Sequence, residues 1–280
     1  ELIAGSYIQR FSIFGFFIIP LFYNKFPNKI LKYIVLAMLL IVLAALILSG
    51  NRMPFISFLF SIFLILILQK QARKYFLSFI FIFSILFSII INYNEQVRIN
   101  FSDFYGQISK ISSVVIKNFT EEKNVLSEKD ERPLGDYLKE FSTFYDTWLL
   151  NKYIGGGIKN FRYFCLNRDN INPNAKFICN MHPHNYYLEI LTDIGVAGLL
   201  SILVLFSIIL YLTFYKKYFS ISFLNKNNVI VPFLILFLTE IFPIKSTGSF
   251  FTTGNTTYLF LILSTLVALA RKENMFEKRV

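Results

Sequence analysis

Seven stretches of this chain, near 6–23, 30–49, 53–69, 75–92, 191–214, 228–244 and 254–270, run almost without interruption through apolar residues. A helix rising 1.5 Å per residue needs about 20 such residues to cross a hydrocarbon core of about 30 Å. The pattern predicts an all-α polytopic membrane helix bundle with about seven transmembrane helices. The first stretch has an apolar centre, Phe11 to Tyr23, that is short for a span, and it spans only if Ile8 and the Arg10 region sit at an interface. Composition agrees, since 55% of residues are hydrophobic and 16% are charged, against about a quarter charged in soluble domains.

The formal charge of +11 raises the question of nucleic acid, and the placement of the charge answers it. The connections 24–32, 70–74, 216–226 and 271–280 hold thirteen basic residues, while the opposite short ends hold Arg10, Arg52 and Lys245. The long segment 93–185 is nearly balanced, with twelve basic and eleven acidic residues. By the positive-inside rule the thirteen-residue side is cytoplasmic, and all seven stretches then alternate without conflict. The excess charge reports topology, so no nucleic-acid partner is expected. The organisation predicted is 1–92 with spans one to four, 93–185 as an outer segment, and 186–280 with spans five to seven and a cytoplasmic tail. An outer start at Glu1 without a signal peptide pattern predicts an odd number of missing upstream spans.

The 93–185 segment is too long for a structureless loop. Tyr137, Leu138, Phe141, Phe144, Tyr145, Trp148 and Leu149 recur at helical spacing between Pro133 and Gly155-Gly156-Gly157. They predict an amphipathic helix from about 135 to 152 that caps the bundle or moves as a lid. The polar, charged stretch 118–132 is the expected flexible part.

Chemistry concentrates where the outer segment re-enters the membrane, in Cys179-Asn180-Met181-His182-Pro183-His184-Asn185 and the following Tyr186-Tyr187-Leu188-Glu189-Ile190-Leu191-Thr192-Asp193-Ile194-Gly195-Val196-Ala197-Gly198. This stretch holds both histidines of the chain. His184-Asn185, nine residues, then Gly195-x-x-Gly198 resembles the O-antigen ligase family of envelope glycosyltransferases. The resemblance extends to Gly5-Ser6-Tyr7-Ile8-Gln9-Arg10, to Ser49-Gly50-Asn51-Arg52, to Trp148 followed by the glycines and Asn160-Phe161, and to the Pro243–Ser249 region.

The resemblance implies transfer of a glycan from a polyprenyl diphosphate carrier to an acceptor hydroxyl, commonly on lipid A core, without nucleotide or metal. It also implies twelve spans, of which these would be the last seven, in a bacterial inner membrane with the site facing the periplasm. Membrane lipid, the diphosphate-linked donor and a lipid A core or other glycan acceptor are the expected partners. The residue types suit that chemistry. A hydroxyl nucleophile needs a base, and imidazole, with a pKa near 6.5, serves at neutral pH. That selects His184 as the catalytic candidate, with His182 as the second imidazole.

A departing diphosphate needs positive charge, and guanidinium groups supply it with bidentate geometry. Arg52 and Arg98 are the family-matched cations, and Arg10 is a further candidate. Asn185 is expected to orient the imidazole or bind sugar, and Glu189 or Asp193 to hold the ring's other nitrogen. Gly195 and Gly198 also read as small residues that permit close helix packing. Glu240, ionisable within the sixth stretch, is expected to pair with Lys245 or to line an acceptor path.

Cys165 and Cys179 with the two histidines could be zinc ligands, but the cysteine spacing lacks a short Cys-x-x-Cys knuckle. An oxidising outer compartment and the absence of other cysteines favour a disulfide between them. A polymerase or a protein O-glycosyltransferase would share the donor chemistry with another acceptor. A transporter would show internal repeats and midplane polar residues, and neither pattern is present.

Overall fold

The computed structural model describes residues 7–10, 12, 29–68, 73, 76–103, 105–106, 109, 136–168, 179, 182, 184–215, 229–243 and 248–272. Among the described residues all regular structure is helical. The principal helices are α1 (Lys29–Leu48), α2 (Arg52–Leu68), α3 (Phe76–Tyr93), α4 (Glu95–Asp103), α5 (Asp136–Leu149), α6 (Phe161–Phe164), α7 (Tyr186–Leu210), α8 (Ile230–Glu240) and α9 (Thr253–Lys272). A 3-10 turn, Cys165–Asn167, extends α6, and a π-helical turn, Tyr211–Tyr215, extends α7.

Each apolar stretch from 30 onward contains one of these helices, and residues 7–10 and 12 of the first stretch are helical too. Among the described residues two helices, Tyr186–Tyr215 and Thr253–Lys272, are long and apolar enough to cross a membrane. The broken pair Ser78–Tyr93 and Glu95–Asp103, bent by 107°, makes a third candidate. α2, at 17 residues, and α8, at 11, are shorter apolar helices. α8 ends before its apolar stretch does because Pro243 follows closely. A proline has no N–H to continue the helical ladder, and it disfavours the helical conformation in the residue before it, here Phe242.

α8 is the centre of the bundle. Ile230, Leu234, Ile235 and Phe237 are almost completely buried, with α9 and α2 packed around them. In water such burial is worth about 1.5–3 kcal/mol per large side chain. In lipid the surrounding tails are equally apolar, so close packing decides the arrangement instead. Aromatic rings supply much of it: Phe55 lies 5.5 Å from Phe87 and 5.1 Å from Phe101, and Phe206 meets Phe237 edge-on at 5.3 Å.

The sharp turn between α3 and α4 comes from Asn94. Its side-chain oxygen accepts the Val97 N–H at 3.1 Å and starts a new helix, which is the ordinary role of an asparagine N-cap.

Candidate functional site

α7 begins with a dense set of ties to the 240–250 region. Asn185 is extended at the N-cap, and its Oδ1 accepts the N–H groups of Tyr187 and Leu188 at 3.0 and 3.2 Å. Its amide nitrogen donates to the Pro243 carbonyl at 2.6 Å. One asparagine thus caps α7 and fastens it to the end of α8. Tyr186 donates its hydroxyl to Glu240 Oε1 at 3.0 Å, and Tyr187 donates to the Ile241 carbonyl. Glu189, one turn on and buried, accepts from the Ser249 hydroxyl and the Phe250 N–H.

His184 immediately precedes this clamp. Its backbone has φ 49°, a left-handed conformation uncommon for residues other than glycine. Such a conformation costs of order 1–3 kcal/mol and persists only where its surroundings enforce it. The bonds made by Asn185 and Tyr186 are those surroundings. The His184 ring is half-buried and meets the His182 ring at 4.6 Å between centroids. Burial holds the His182 imidazole below its ordinary pKa, and charge on His184 adds to the effect.

The acidic support expected for the ring is arranged differently. Glu189 is directed at Ser249 and Phe250, and Asp193 Oδ2 accepts the Lys159 N–H at 2.7 Å. Among the described residues neither carboxylate meets an imidazole. Their geometry makes them fasteners of α7 to neighbouring loops.

Gly195 marks a break inside α7. It has φ 68° and ψ −170°, values open to glycine and not to other residues. At this break the 152–157 turn exchanges backbone hydrogen bonds with the helix. Gly156 and Gly157 donate to the carbonyls of Thr192 and Asp193, each at 2.8 Å. In an unbroken helix those carbonyls would accept from Val196 and Ala197. Val196 and Ala197 donate instead to the carbonyls of Lys152 and Tyr153, at 2.9 and 3.1 Å.

The expected close approach at Gly195 is therefore real, but the partner is a loop backbone and not another helix. Gly198 serves a smaller purpose. A Cβ there would fall 2.3 Å from the Ile194 side chain.

Beyond the turn, Phe144 of α5 stacks on Phe161 at 3.5 Å. With Cys165 they form a small separate core, against which Cys179 and Leu188 pack. Cys165 and Cys179 are joined as a disulfide, and a disulfide sulfur has no thiolate to offer zinc. α5 covers Asp136–Leu149, somewhat shorter than the span expected from periodicity, and packs on α7.

Of the three arginines, Arg10 is not directed at an open site. Its Nη2 lies 2.5 Å from Glu240 Oε1 and 3.1 Å from Asn255 Oδ1, and its guanidinium stacks on Tyr258 at 4.2 Å. A buried carboxylate in an apolar bundle requires such a partner, and Arg10 supplies it to Glu240. Lys245 lies outside the described residues.

Arg52 opens α2, and Arg98 sits in the first turn of α4, exposed and 3.6 Å from Glu95. Their segments adjoin. A Cβ on Gly50 would lie 2.7 Å from the Asn100 side chain, and Phe55 meets Phe101.

Sequence reasoning missed Tyr186, Tyr187 and Ser249, whose types are ordinary in an apolar helix and a loop. It also read the three glycines as a helix stop and as part of the family resemblance, not as hydrogen-bond partners of α7. The Arg10–Glu240 pair did leave a signal, since both are ionisable residues near the same predicted end of apolar stretches.

The O-antigen ligase family model matches residues 36–203, more than half of the chain, and the chain belongs to that family. No curated protein and no solved structure matches it. Membership makes this a membrane protein of the glycan ligase and polymerase superfamily, and it implies glycosyl transfer with glycan and lipid-linked substrates.

Proposed function

We propose that this protein is a ligase-type glycosyltransferase that moves a glycan from a polyprenyl diphosphate carrier to an acceptor hydroxyl on lipid A core. The reaction takes place at the periplasmic face of a bacterial inner membrane. The observation that carries this reading is His184, half-buried, in a left-handed backbone conformation and set at the start of a clamped α7. An imidazole so placed accepts the proton of the attacking hydroxyl as the new glycosidic bond forms and the diphosphate departs with its electron pair. Arg52 and Arg98 meet the diphosphate charge from the adjoining starts of α2 and α4. Asn185 fixes the backbone that presents His184, with Glu189, Asp193, Gly195 and Gly198 in supporting positions.

In the same reading the apolar stretches are seven spans, the last of about twelve, and the 93–185 segment is periplasmic. The charge asymmetry of the short connections supports this orientation. The test is transfer in vitro from a diphosphate-linked glycan, with lipid A core and a free glycan chain offered separately. Product on lipid A core supports the ligase. Product on the glycan chain alone makes the protein a polymerase, and no transfer to either removes the proposal.

A further inference from the structure

The stretch 152–166 shows an unusual combination of exposure and attachment. Tyr153 and Ile154 are each 78% exposed, and Ile158, Tyr163 and Leu166 are also open. Basic Lys152, Lys159 and Arg162 lie exposed among them. Scattered exposed apolar residues are ordinary on a soluble surface, but here five large ones fall within one short stretch.

The attachment says which surroundings they face. The turn is bonded to α7 at residues 192–197. At 1.5 Å per residue, that places it about 9 to 16 Å along the helix from Tyr186. The polar margin of a bilayer is only about 5 to 8 Å deep on each side. A turn held that far down a spanning helix lies near the boundary between headgroups and acyl chains.

Its backbone also suits that depth. Irregular chain is tolerated there only where its polar groups are satisfied by protein. The N–H groups of Gly155, Gly156 and Gly157 donate to Asn151, Thr192 and Asp193, and the carbonyls of Lys152 and Tyr153 accept from Val196 and Ala197.

We infer that residues 152–166 form a membrane-seated loop. Tyr153, Ile154 and Ile158 enter the acyl boundary of the leaflet at the His184 end of α7, and Lys152, Lys159 and Arg162 lie at the level of the lipid phosphates. Aromatic and basic residues are the usual anchors at such an interface. The inference rests on α7 crossing the bilayer, as the proposed function also does. It adds that the extramembrane core around Phe144 and Phe161 is held against the lipid surface, beside the place where a lipid-linked substrate presents its diphosphate.

Trp148 is a native reporter. It is the only tryptophan of the chain, and its indole N–H donates to the Lys152 carbonyl at 3.0 Å. Its fluorescence is measured in nanodiscs of phosphatidylethanolamine and phosphatidylglycerol, with acyl chains brominated near the headgroup or near the chain end. The expected result is strong quenching by the shallow bromines, weaker quenching by the deep ones, and little by aqueous acrylamide. Tyr153→Ser with Ile154→Ser should cut the shallow quenching by about half or more and raise acrylamide quenching.

Strong acrylamide quenching without bromine quenching in the unaltered protein places the loop in water and overturns the inference. Shielding from both quenchers means that protein covers it, which overturns it equally. Transfer activity assayed in the same nanodiscs separates failure of this inference from failure of the glycosyltransferase reading.

Discussion

Gly155 and Gly195 each lie against the peptide just before the other, in gaps that admit no side chain. A Cβ on Gly155 would lie 2.4 Å from the Asp193 carbonyl carbon, and one on Gly195 would lie 2.3 Å from the Tyr153 carbonyl oxygen. Both have positive φ, 73° and 68°. The two glycines permit the exchange of four backbone hydrogen bonds that couples the 152–157 turn to α7.

Replacing either glycine with alanine should therefore destabilise by about 2 kcal/mol or more, combining left-handed strain with backbone overlap. Thermal unfolding of Gly195→Ala and Gly155→Ala in detergent reads this directly. Gly106 serves as the control, because a Cβ there meets nothing within 4 Å. Equal stability of all three variants would show that the exchange is not formed.

The Arg10–Glu240 pair predicts a different signature. Removing one partner leaves an uncompensated buried charge, a loss of about 3–5 kcal/mol, whereas apolar replacement of both is far milder. Arg10→Met and Glu240→Leu should each lower the melting temperature sharply, and the double variant should recover most of it. Additive losses would mean that the two groups do not act as a pair.

How much of this was legible in the sequence depends on the kind of signal. Apolar stretches announced the helices because a spanning segment must be continuous, and the His184–Asn185 motif marked the candidate site. The ends of helices were less legible. α8 stops at Glu240 ahead of Pro243, which disfavours continuation, although the residues between are as apolar as those before them. The break at Gly195 was hidden for a related reason. A glycine in an apolar helix reads equally as a packing contact, and only the 152–157 turn, some forty residues away, reveals it as a gap. Likewise Glu189 offered itself as a partner for the histidine, while its true donors come from Ser249 and Phe250.

Stability should depend on pH through His182. Its folded pKa lies below the ordinary 6.5, so the folded chain binds fewer protons than the unfolded one and stability rises with pH. The contribution is complete above about pH 6.5 and is lost as the pH falls through that value toward the lower folded pKa. Melting temperatures from pH 8 down to about pH 5 should fall less for His182→Asn than for the unaltered protein. Parallel curves would remove this account.

Topology is tested with single cysteines at Val125 and Lys217, in a background lacking Cys165 and Cys179. In intact spheroplasts a membrane-impermeant thiol reagent should label position 125 and spare position 217. The opposite pattern would invert the orientation and move the site to the cytoplasmic face.

The central claim is that His184 removes the proton from the acceptor hydroxyl while Arg52 and Arg98 hold the diphosphate. The direct measurement is transfer rate and donor affinity for His184→Ala beside Arg52→Lys and Arg98→Ala, with a diphosphate-linked glycan donor. His184→Ala should bind donor nearly as well as the unaltered protein and transfer glycan roughly 100-fold or more slowly, the scale of a positioned base. The arginine variants should weaken donor binding as well, with lysine at Arg52 a partial substitute because it keeps charge and loses the planar fork. Transfer by His184→Ala at the normal rate would contradict the account.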